Sequence, residues 1–397
     1  MKILCMGQIT YDYVLTIDGF PIEGLKYNLK EKKECPGGSA CNASYLLAKW
    51  NEEVYLSAAV GGDEIGNKIK KDLDEAGVKS HSVEVNFESK TPISFVLVNK
   101  NNSQKTTFAI SEKDPHVKKC DFDFVPEIIL LDGYEYTSGI SVVNKYPNAI
   151  TILDASEYTK PIVELCKYAK YIIASKKFAE EYTGIKVDYN NPTTLLEMYK
   201  KLAMKYPNSN LIITLKERGA MFLDNNQIKV MPGLKKEVIV DSTGAGDIFR
   251  AAFAAGLSKG FDIEKNIRLC NIAAGLSLDK MGFKDSLPLF SDVMSYYESK
   301  FGKENQAPVQ NQTTPETVQT QVQANTGVQP EVQSNTSEGV QQANVDETPV
   351  PSQNAPVNAT QNNINTPNAA GVQNNVANTQ VPVNQNSVES NPNDSAK

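Results

Sequence analysis

Four short, fully apolar runs constrain the fold more than any other feature of this chain. They are Ile128–Leu131, Ile150–Leu153, Tyr171–Ala174 and Leu211–Leu215. Each has the length of one β-strand, and helical patterns such as Ile162–Tyr168 and Thr193–Tyr206 lie between them. Because a strand without a polar face must be covered on both sides, the pattern predicts an α/β fold with a doubly wound, mostly parallel sheet flanked by helices.

The first part of the chain predicts further strands and a separate hairpin. Lys2–Met6 and Val54–Val60 are typical of buried strands, and Gly66–Ala76 is typical of a helix. Two β-rich pieces, Pro92–Val98 and Lys105–Ile110, are joined by a polar turn. We expect the hairpin to be an appended sheet, and ligands to bind beyond the carboxyl ends of the parallel strands.

Residues 303–397 differ in composition from the rest of the chain. They are rich in Gln, Asn, Pro, Val and Thr, and they contain no aromatic residue, two lysines and eight carboxylates. Such a segment cannot bury enough apolar surface to offset its backbone entropy, so we expect a disordered tail after a domain over residues 1–302. The tail accounts for most of the net charge of −7. The remainder is nearly balanced, which disfavours nucleic acid as a partner.

Several other classes of protein are disfavoured by what the sequence contains. No apolar run has the length of a membrane span, and the start of the chain does not resemble a signal peptide. The six cysteines form no C-x-x-C pair, so we expect a reducing, cytoplasmic location. The balanced charge and the lack of a long apolar run lead us to expect no membrane partner. With only His81 and His116, a zinc site or a histidine-based triad has little material.

The segment Asp241–Asp247, with the sequence DSTGAGD, is the most specific motif. It follows Val238–Val240, which we interpret as a strand, and it precedes the apolar helical pattern Ile248–Leu257. Glycines around a small residue let backbone N–H groups converge at the first turn of a helix, where they favour an anion such as phosphate. Asp247 would lie close enough to accept the proton of an attacking hydroxyl.

A second motif, GGSACN, occupies residues 37–42. Apolar residues recur at helical spacing from Ser39, so Gly37 and Gly38 lie where a loop enters a helix. Adjacent glycines allow a polyol to approach the main chain, and the Asn42 amide offers both a donor and an acceptor. A flexible helix entry is the alternative interpretation of this motif by itself.

Together the two motifs resemble those of the ribokinase-like, PfkB-type carbohydrate kinases, and the resemblance covers about Lys2 to Pro288. In that family the last Asp of the C-terminal signature is the catalytic base. The resemblance therefore implies that Asp247 is the base, and that the amides of Gly244, Ala245 and Gly246 stabilise the charge on the transferred phosphoryl group.

The resemblance also implies three sets of binding residues. Substrate would be bound by Asp12, Gly37, Gly38, Asn42 and Asp247. ATP would be bound by Thr214, Lys216, Gly219, Gly246 and Asn271. A monovalent cation, K⁺ in many members, would be bound near Asp241, Gly282 and Ser286.

Two departures from the family pattern affect phosphate and metal binding. Lys216 stands where a glycine is common, and Ser175-Lys176-Lys177-Phe178 stands where many relatives have N-x-x-E. Mg²⁺ usually keeps several waters and contacts the phosphates of the nucleotide, so the loss of one carboxylate need not abolish its binding. We therefore expect ATP and Mg²⁺ as cofactors, with the handling of the metal left open.

The function that these features predict is ATP-dependent phosphorylation of a hydroxyl on a small sugar. Phosphosugar kinases of the family tend to have a lysine after the paired glycines, which holds the substrate's own phosphate. This chain has Ser39 there, which favours an unphosphorylated sugar. The resemblance implies a β-sheet lid, formed by residues of about 13–17, 27–33, 92–98 and 105–110, which in relatives often pairs two subunits. A nucleoside kinase, with a base stacked near Tyr11 and Tyr13, and a non-catalytic binding scaffold that presents the tail are the alternatives.

Overall fold

The computed structural model describes residues 1–29, 31–102 and 104–302. The predicted disordered tail, residues 303–397, lies outside the described residues and stays a prediction. In chain order the described strands are β1 (Lys2–Met6), β2 (Thr10–Ile17), β3 (Lys32–Gly37), β4 (Glu53–Gly61), β5 (Val83–Asn86), β6 (Ile93–Asn99), β7 (Lys105–Ile110), β8 (Ile128–Leu131), β9 (Ile150–Ala155), β10 (Tyr171–Ser175), β11 (Asn210–Thr214), β12 (Ala220–Asp224) and β13 (Gln227–Met231).

Helices lie between most of these strands and after the last of them. In chain order they are α1 (Ser39–Lys49), α2 (Glu64–Glu75), α3 (Tyr136–Lys145), α4 (Lys160–Leu165), α5 (Lys176–Thr183), α6 (Pro192–Lys205), α7 (Ala245–Ser258), α8 (Ile263–Leu276), α9 (Phe283–Ser286) and α10 (Phe290–Phe301). Short 3₁₀ turns follow α4, β11 and α8.

The main sheet has nine strands among the described residues, in the order β13-β12-β11-β10-β9-β8-β1-β4-β5. Its strands from β11 to β5 are parallel, and β12 and β13 add an antiparallel edge. This confirms the predicted doubly wound, mostly parallel sheet. The carboxyl ends of β8, β9, β10 and β11 meet at one edge, which is where ligands bind in such sheets.

Both faces of the main sheet are buried, as the apolar runs predicted. Successive residues of a strand point to opposite faces, and Ile3 and Cys5 of β1 pack in one core cluster while Leu4 and Met6 pack in another. Helices α1, α7 and α8 cover the first face, and α5 and α6 cover the second. The sheet therefore places the starts of α1 and α7 on one side of its carboxyl edge.

A second sheet of four strands, in the order β3-β2-β6-β7, forms the lid sheet. Its strands β6 and β7 are the predicted hairpin. The lid sheet contacts the segment around α9 at two places. Val14, Val96 and Val98 pack with Met281, and the Lys33 ammonium lies 2.6 Å from the Asp285 carboxylate.

Two predicted strands are wrong. Of the segment predicted at 27–33, residues 27–29 and 31 are not in a strand, and β3 lies at Lys32–Gly37 instead, because this segment pairs with β2 from Thr10 to Leu15. Val238–Val240 is a loop, and Val238 is 72% exposed. Within the described residues this run of β-branched residues belongs to neither sheet, and the Val240 N–H donates to the Leu278 carbonyl.

Two further expectations concern the whole molecule. No helix in the described part of the chain has both the length and the apolar character needed to span a membrane. All six cysteines are free thiols, as the absence of paired spacings predicted.

Candidate active site

The start of α7 has a glycine in a left-handed conformation and, among the described residues, no side-chain cap. Gly244 precedes the helix in a left-handed conformation with φ of 75°, and within the described residues no side chain caps this terminus. A Cβ atom at Gly244 would lie 2.2 Å from Cδ2 of Phe283, so the position requires glycine. The first N–H groups of a helix have no partner within the helix, and in the described part of the chain that of Ala245 makes only a long contact of 3.4 Å with the Ser242 carbonyl oxygen.

Asp247 lies in the first turn of this helix and accepts three hydrogen bonds. Its Oδ1 atom accepts from Ser39 Oγ and from Arg250 Nη2, each at 2.7 Å. Its Oδ2 atom accepts from Nδ2 of Asn42, also at 2.7 Å. The side chain is 15% exposed, so the carboxylate is fixed in orientation while one side of it still reaches solvent.

Gly37, Gly38 and Asn42 bring the start of α1 to the same place. Gly38 has φ of 95°, and a Cβ atom there would lie 2.2 Å from the Gln8 carbonyl oxygen. Asn42 donates to Asp247 through Nδ2, whereas its Oδ1 atom is buried and has no hydrogen-bond partner among the described residues. A buried acceptor without a partner is costly, and a ligand hydroxyl would satisfy it.

Asp12 faces this group from strand β2 of the lid sheet. Its Oδ1 atom accepts a 2.8 Å hydrogen bond from Thr10, and a Cβ atom at Gly37 would lie 2.2 Å from its Oδ2 atom. Burial raises the pKa of Asp12, and the nearby Asp247 carboxylate adds to that effect. The predicted substrate-binding residues therefore lie together, between the lid sheet and the starts of α1 and α7.

Behind Asp247 lies a buried polar group that sequence reasoning missed. Asp154, at the end of β9, and Arg250, one turn after Asp247, are both more than nine-tenths buried. Arg250 Nε lies 2.8 Å from Asp154 Oδ2, and Ser39 Oγ lies 2.5 Å from the same oxygen. Arg250 follows Asp247 by three residues, which places both on one side of α7. That spacing is the sequence feature from which their contact could have been predicted.

The predicted nucleotide residues lie along the carboxyl edge of the main sheet. Thr214 ends β11, and Lys216 and Gly219 bound the 3₁₀ turn after it, both with positive φ. A Cβ atom at Gly219 would lie 2.0 Å from the Met231 carbonyl oxygen. Asn271, on α8, donates from Nδ2 to the carbonyls of Met231 and Pro232 at 3.1 and 3.2 Å, so this amide group holds a loop.

Asp241 joins the loop before α7 to the loop before α9. Its Oδ1 atom accepts from the N–H of Thr243 at 2.8 Å, and its Oδ2 atom accepts from the N–H of Gly282 at 2.9 Å. Ser286 lies one turn further, and its hydroxyl donates to the Phe283 carbonyl. The structure thus brings Asp241 and Gly282 into direct contact and places Ser286 on the adjoining short helix.

The segment that replaces N-x-x-E has a different role in the fold. Ser175 caps α5, and Phe178 is fully buried. Glu180 accepts from the N–H of Val187 at 2.9 Å and lies 3.6 Å from the ammonium groups of Lys176 and Lys186. No group of three or more acidic, histidine or cysteine side chains suited to a metal ion occurs within residues 1–29, 31–102 and 104–302.

Comparison with known proteins identifies the family of the chain. The model of the pfkB family of carbohydrate kinases matches residues 1–289. The ribokinase of Lactococcus lactis subsp. lactis is 27% identical over 300 residues, which cover 74% of this chain and 95% of that protein. The nucleoside kinase of Methanocaldococcus jannaschii is 22% identical over 303 residues, which cover 75% of this chain and 97% of that protein.

A solved structure has the same fold. Arabidopsis thaliana ribokinase complexed with ribose and ATP aligns with a TM-score of 0.63 and 22% identity, over 74% of this chain and 97% of that one. The family match over residues 1–289, together with the fold, places the protein among the ribokinase-like phosphotransferases. The chain belongs to the pfkB family, whose members are ATP-dependent carbohydrate kinases.

Proposed function

We propose that this protein transfers the terminal phosphoryl group of ATP to a hydroxyl of a small, unphosphorylated sugar. The observation that supports this most directly is the pair formed by Asn42 and Asp247. The Asn42 amide holds the carboxylate at 2.7 Å, while its own buried Oδ1 atom has no partner within the described residues. A polyol with one hydroxyl that donates a hydrogen bond to Oδ1 of Asn42 would have a neighbouring hydroxyl close to Asp247.

In the proposed reaction Asp247 accepts the proton of the attacking hydroxyl. The oxygen of that hydroxyl forms a bond to the terminal phosphorus of ATP, and the bond from this phosphorus to the bridging oxygen breaks, which releases ADP. The N–H groups of Gly244, Ala245 and Gly246 would stabilise negative charge on the transferred group, since they open α7 without a side-chain cap. Asp12 would bind other hydroxyls of the sugar from the lid sheet.

The residues present fit ATP better than they fit a protein-bound divalent metal. The uncapped start of α7 suits a phosphate, and Thr214, Lys216 and Gly219 lie where the rest of the nucleotide would extend. Glu180 is already paired with lysines. Mg²⁺ would therefore be held by the phosphates and by water, where it supplies charge neutralisation. Asp241, Gly282 and Ser286 are the proposed site for a monovalent cation such as K⁺.

Two contacts favour an unphosphorylated sugar over the alternatives. Ser39 points to carboxylates, which would repel a substrate phosphate at this position. Tyr11 and Tyr13 alternate with Asp12 along β2 and so project from the opposite face of the lid sheet, where Tyr13 stacks on Phe95 with ring centres 5.2 Å apart. Neither ring is placed to stack a nucleobase beside Asp12.

The lid sheet also offers a surface for a second copy of the chain. Phe108 and Ile110 on β7 are each 49% exposed, and β7 is an edge strand of the sheet. Exposed apolar side chains on a strand edge favour association, so we include a homodimer formed through the lid in the proposal.

The test is a phosphorylation assay of the full chain with ATP, Mg²⁺ and a panel of sugars, phosphosugars and nucleosides. We expect turnover with an unphosphorylated sugar, and a loss on the order of 10²-fold or more for Asp247→Asn, with ATP binding retained. Asp262→Asn, an aspartate at the start of α8, is the matched control.

Each other outcome of this assay has a definite meaning. Turnover with nucleosides alone would replace the sugar with the alternative substrate class. No turnover with any acceptor, despite ATP binding, would support a non-catalytic scaffold. Unchanged turnover in Asp247→Asn would remove Asp247 from its proposed role.

A further inference from the structure

The hydroxyl group of Ser39 lies between two carboxyl groups. Its Oγ atom is 2.5 Å from Oδ2 of Asp154 and 2.7 Å from Oδ1 of Asp247. Both separations are hydrogen-bond distances, but a serine hydroxyl has only one proton to donate. The second contact therefore requires a proton on one of the two carboxyl groups.

The charges of the surrounding residues lead to the same conclusion. Asp154 and Asp247 together carry two negative charges when ionised, and Arg250 supplies one positive charge at 2.8 and 2.7 Å. Asp154 and Arg250 are 4% and 6% exposed. Among the described residues, the small gap lined by Ser39, Asp154 and Arg250 has no room for a water molecule. One shared proton makes this buried group neutral, and an unbalanced buried charge is costly.

We propose that Asp154 and Asp247 share one proton through the Ser39 hydroxyl, and that Asp154 is a positioning residue that keeps Asp247 ionised. This inference rests on the proposed role of Asp247 as the base. In the resting state Asp154 carries the proton and donates to Ser39, and Ser39 donates to Asp247. Asp247 is then an anion that accepts from Ser39, Asn42 and Arg250, which is the form that a base requires.

The direction of ionisation agrees with this assignment. Burial raises the pKa of Asp154, and Arg250 opposes that effect without cancelling it. The other ionisable groups near the pair are Asp132 at the end of β8, Cys5 beside Asp132, and Asp12 on the lid sheet. Ser156 also donates to Asp154, through Oδ1.

The movement of protons during one turnover follows from this arrangement. Asp247 takes the proton of the substrate hydroxyl as the bond from oxygen to phosphorus forms. Asp154 already holds a proton and cannot take a second, so the proton on Asp247 leaves through the exposed side of that carboxyl after the product has departed. Asp154, Ser39 and Arg250 regenerate the same ionised base for the next cycle.

The first test is the pH dependence of kcat for Ser39→Ala. The Ser39 hydroxyl donates to the Asp247 carboxylate and so stabilises the ionised base. We therefore expect its loss to move the acid side of the kcat profile to higher pH. A displacement of the profile by about one pH unit lowers kcat about tenfold on the acid side and leaves the plateau nearly unchanged. Ser44→Ala is the matched control, because Ser44 is buried on the same helix and donates to the Cys41 carbonyl. If the acid side of the kcat profile of Ser39→Ala lies at the same pH as in the parent, the proposal is overturned.

The second test is the same profile for Asp154→Asn. Asparagine has the charge of protonated aspartate, so we expect the acid side to stay where it is in the parent. If Asp154 is instead an ionised partner of Arg250, the variant loses a negative charge beside Asp247, which favours the ionised base and moves the acid side to lower pH. That result would also overturn the proposal. Thermal unfolding and ATP binding show whether each variant is folded, and Ser39→Ala decides alone if Asp154→Asn is not.

Asp247→Asn separates this inference from the proposed function. If Asp247→Asn keeps full turnover, the proposed base itself is wrong. A different result is an inactive Asp247→Asn together with an unchanged profile for Ser39→Ala and an acid side moved to lower pH for Asp154→Asn. In that case Asp247 is still the base, and only the inference of a shared proton is wrong.

Discussion

The side-chain amide of Asn42 donates a 2.7 Å hydrogen bond to Oδ2 of Asp247, although the two residues are 205 positions apart in the sequence. Asn42 lies on α1 and Asp247 on α7, and the two helices pack on the same face of the main sheet. The contact joins the residue that would orient a sugar to the residue that would take its proton. A change at either end should therefore affect both binding and turnover.

Replacing Asn42 with alanine tests this connection. The change removes a donor to the Asp247 carboxylate and the buried acceptor offered to the substrate, so we expect kcat/KM for the sugar to fall about 10- to 100-fold. Steady-state kinetics with varied sugar measure the effect, and Ser44→Ala on the same helix should leave it unchanged. Equal kinetics for Asn42→Ala and the parent would contradict a role for this amide.

Gly244→Ala tests whether the start of α7 depends on its backbone conformation. A Cβ atom would lie 2.2 Å from Phe283, and an alanine would also be strained at a φ of 75°. We therefore expect the free energy of unfolding, measured in urea, to decrease by about 2–4 kcal/mol and turnover to fall. Gly260→Ala is the control, because Gly260 has φ of 70° with no atom of the described residues within 4 Å of the added Cβ. We expect about 1 kcal/mol for the control. Equal losses would show that Phe283 yields without penalty.

Asn271→Ala tests whether this residue contributes to nucleotide binding by holding a loop. Without its amide, the carbonyls of Met231 and Pro232 lose their donor, so we expect the KM for ATP to rise about tenfold and the KM for the sugar to stay constant. Asn210→Ala, which removes an amide that donates to the Lys170 carbonyl at the opposite end of β11, should change neither value. A larger effect on the sugar than on ATP would contradict the assignment.

Asp132→Asn tests the pH dependence of stability. Burial raises the pKa of Asp132 from its usual value of 3.8 to about 7, although the backbone N–H groups of Gln8, Ala40 and Tyr134 donate to its carboxylate. Between those two pH values the unfolded chain loses this proton first. The group's contribution to the free energy of unfolding therefore falls by a few kcal/mol, on the order of 1.4 kcal/mol per unit, as pH rises.

We expect the uncharged amide introduced by Asp132→Asn to lessen that fall. At pH 4 the variant should be less stable than the parent, because the Tyr134 N–H loses its acceptor, and at pH 8 the difference should shrink or reverse. Urea unfolding at the two pH values measures it. Parallel stability curves for the variant and the parent would show that Asp132 is already ionised in the folded protein.

The sequence predicted the elements whose own residues determine their structure. The apolar run Ile128–Leu131 and the segment Lys105–Ile110 agree with strands β8 and β7 residue for residue. Strand β3 has the sequence KKECPG, which contains no apolar alternation, and it forms because β2 supplies its hydrogen-bond partners. The Val238–Val240 run shows the reverse case, because it has high β-propensity and yet lies in a loop outside both sheets.

The same distinction applies to the candidate site. Asp247 and the glycines before it lie in one continuous segment, so their common location could be predicted from the sequence. The contact of Asp154 with Ser39 and Arg250 depends on the order of strands in the main sheet and on how α1 and α7 pack against it. No local pattern contains that information, because the three residues come from a strand and two helices far apart in the chain.

The loop before α9 supports both sides of the cleft at once. Met281 packs against three valines of the lid sheet, and the next residue, Gly282, is held by the carboxylate that precedes the start of α7. Movement of the lid sheet would therefore pull on the segment that holds the start of α7, and a nucleotide bound there, as proposed, would in return restrain the lid sheet. We therefore expect binding of the nucleotide to change the affinity for the sugar, and the reverse, without direct contact between the two ligands.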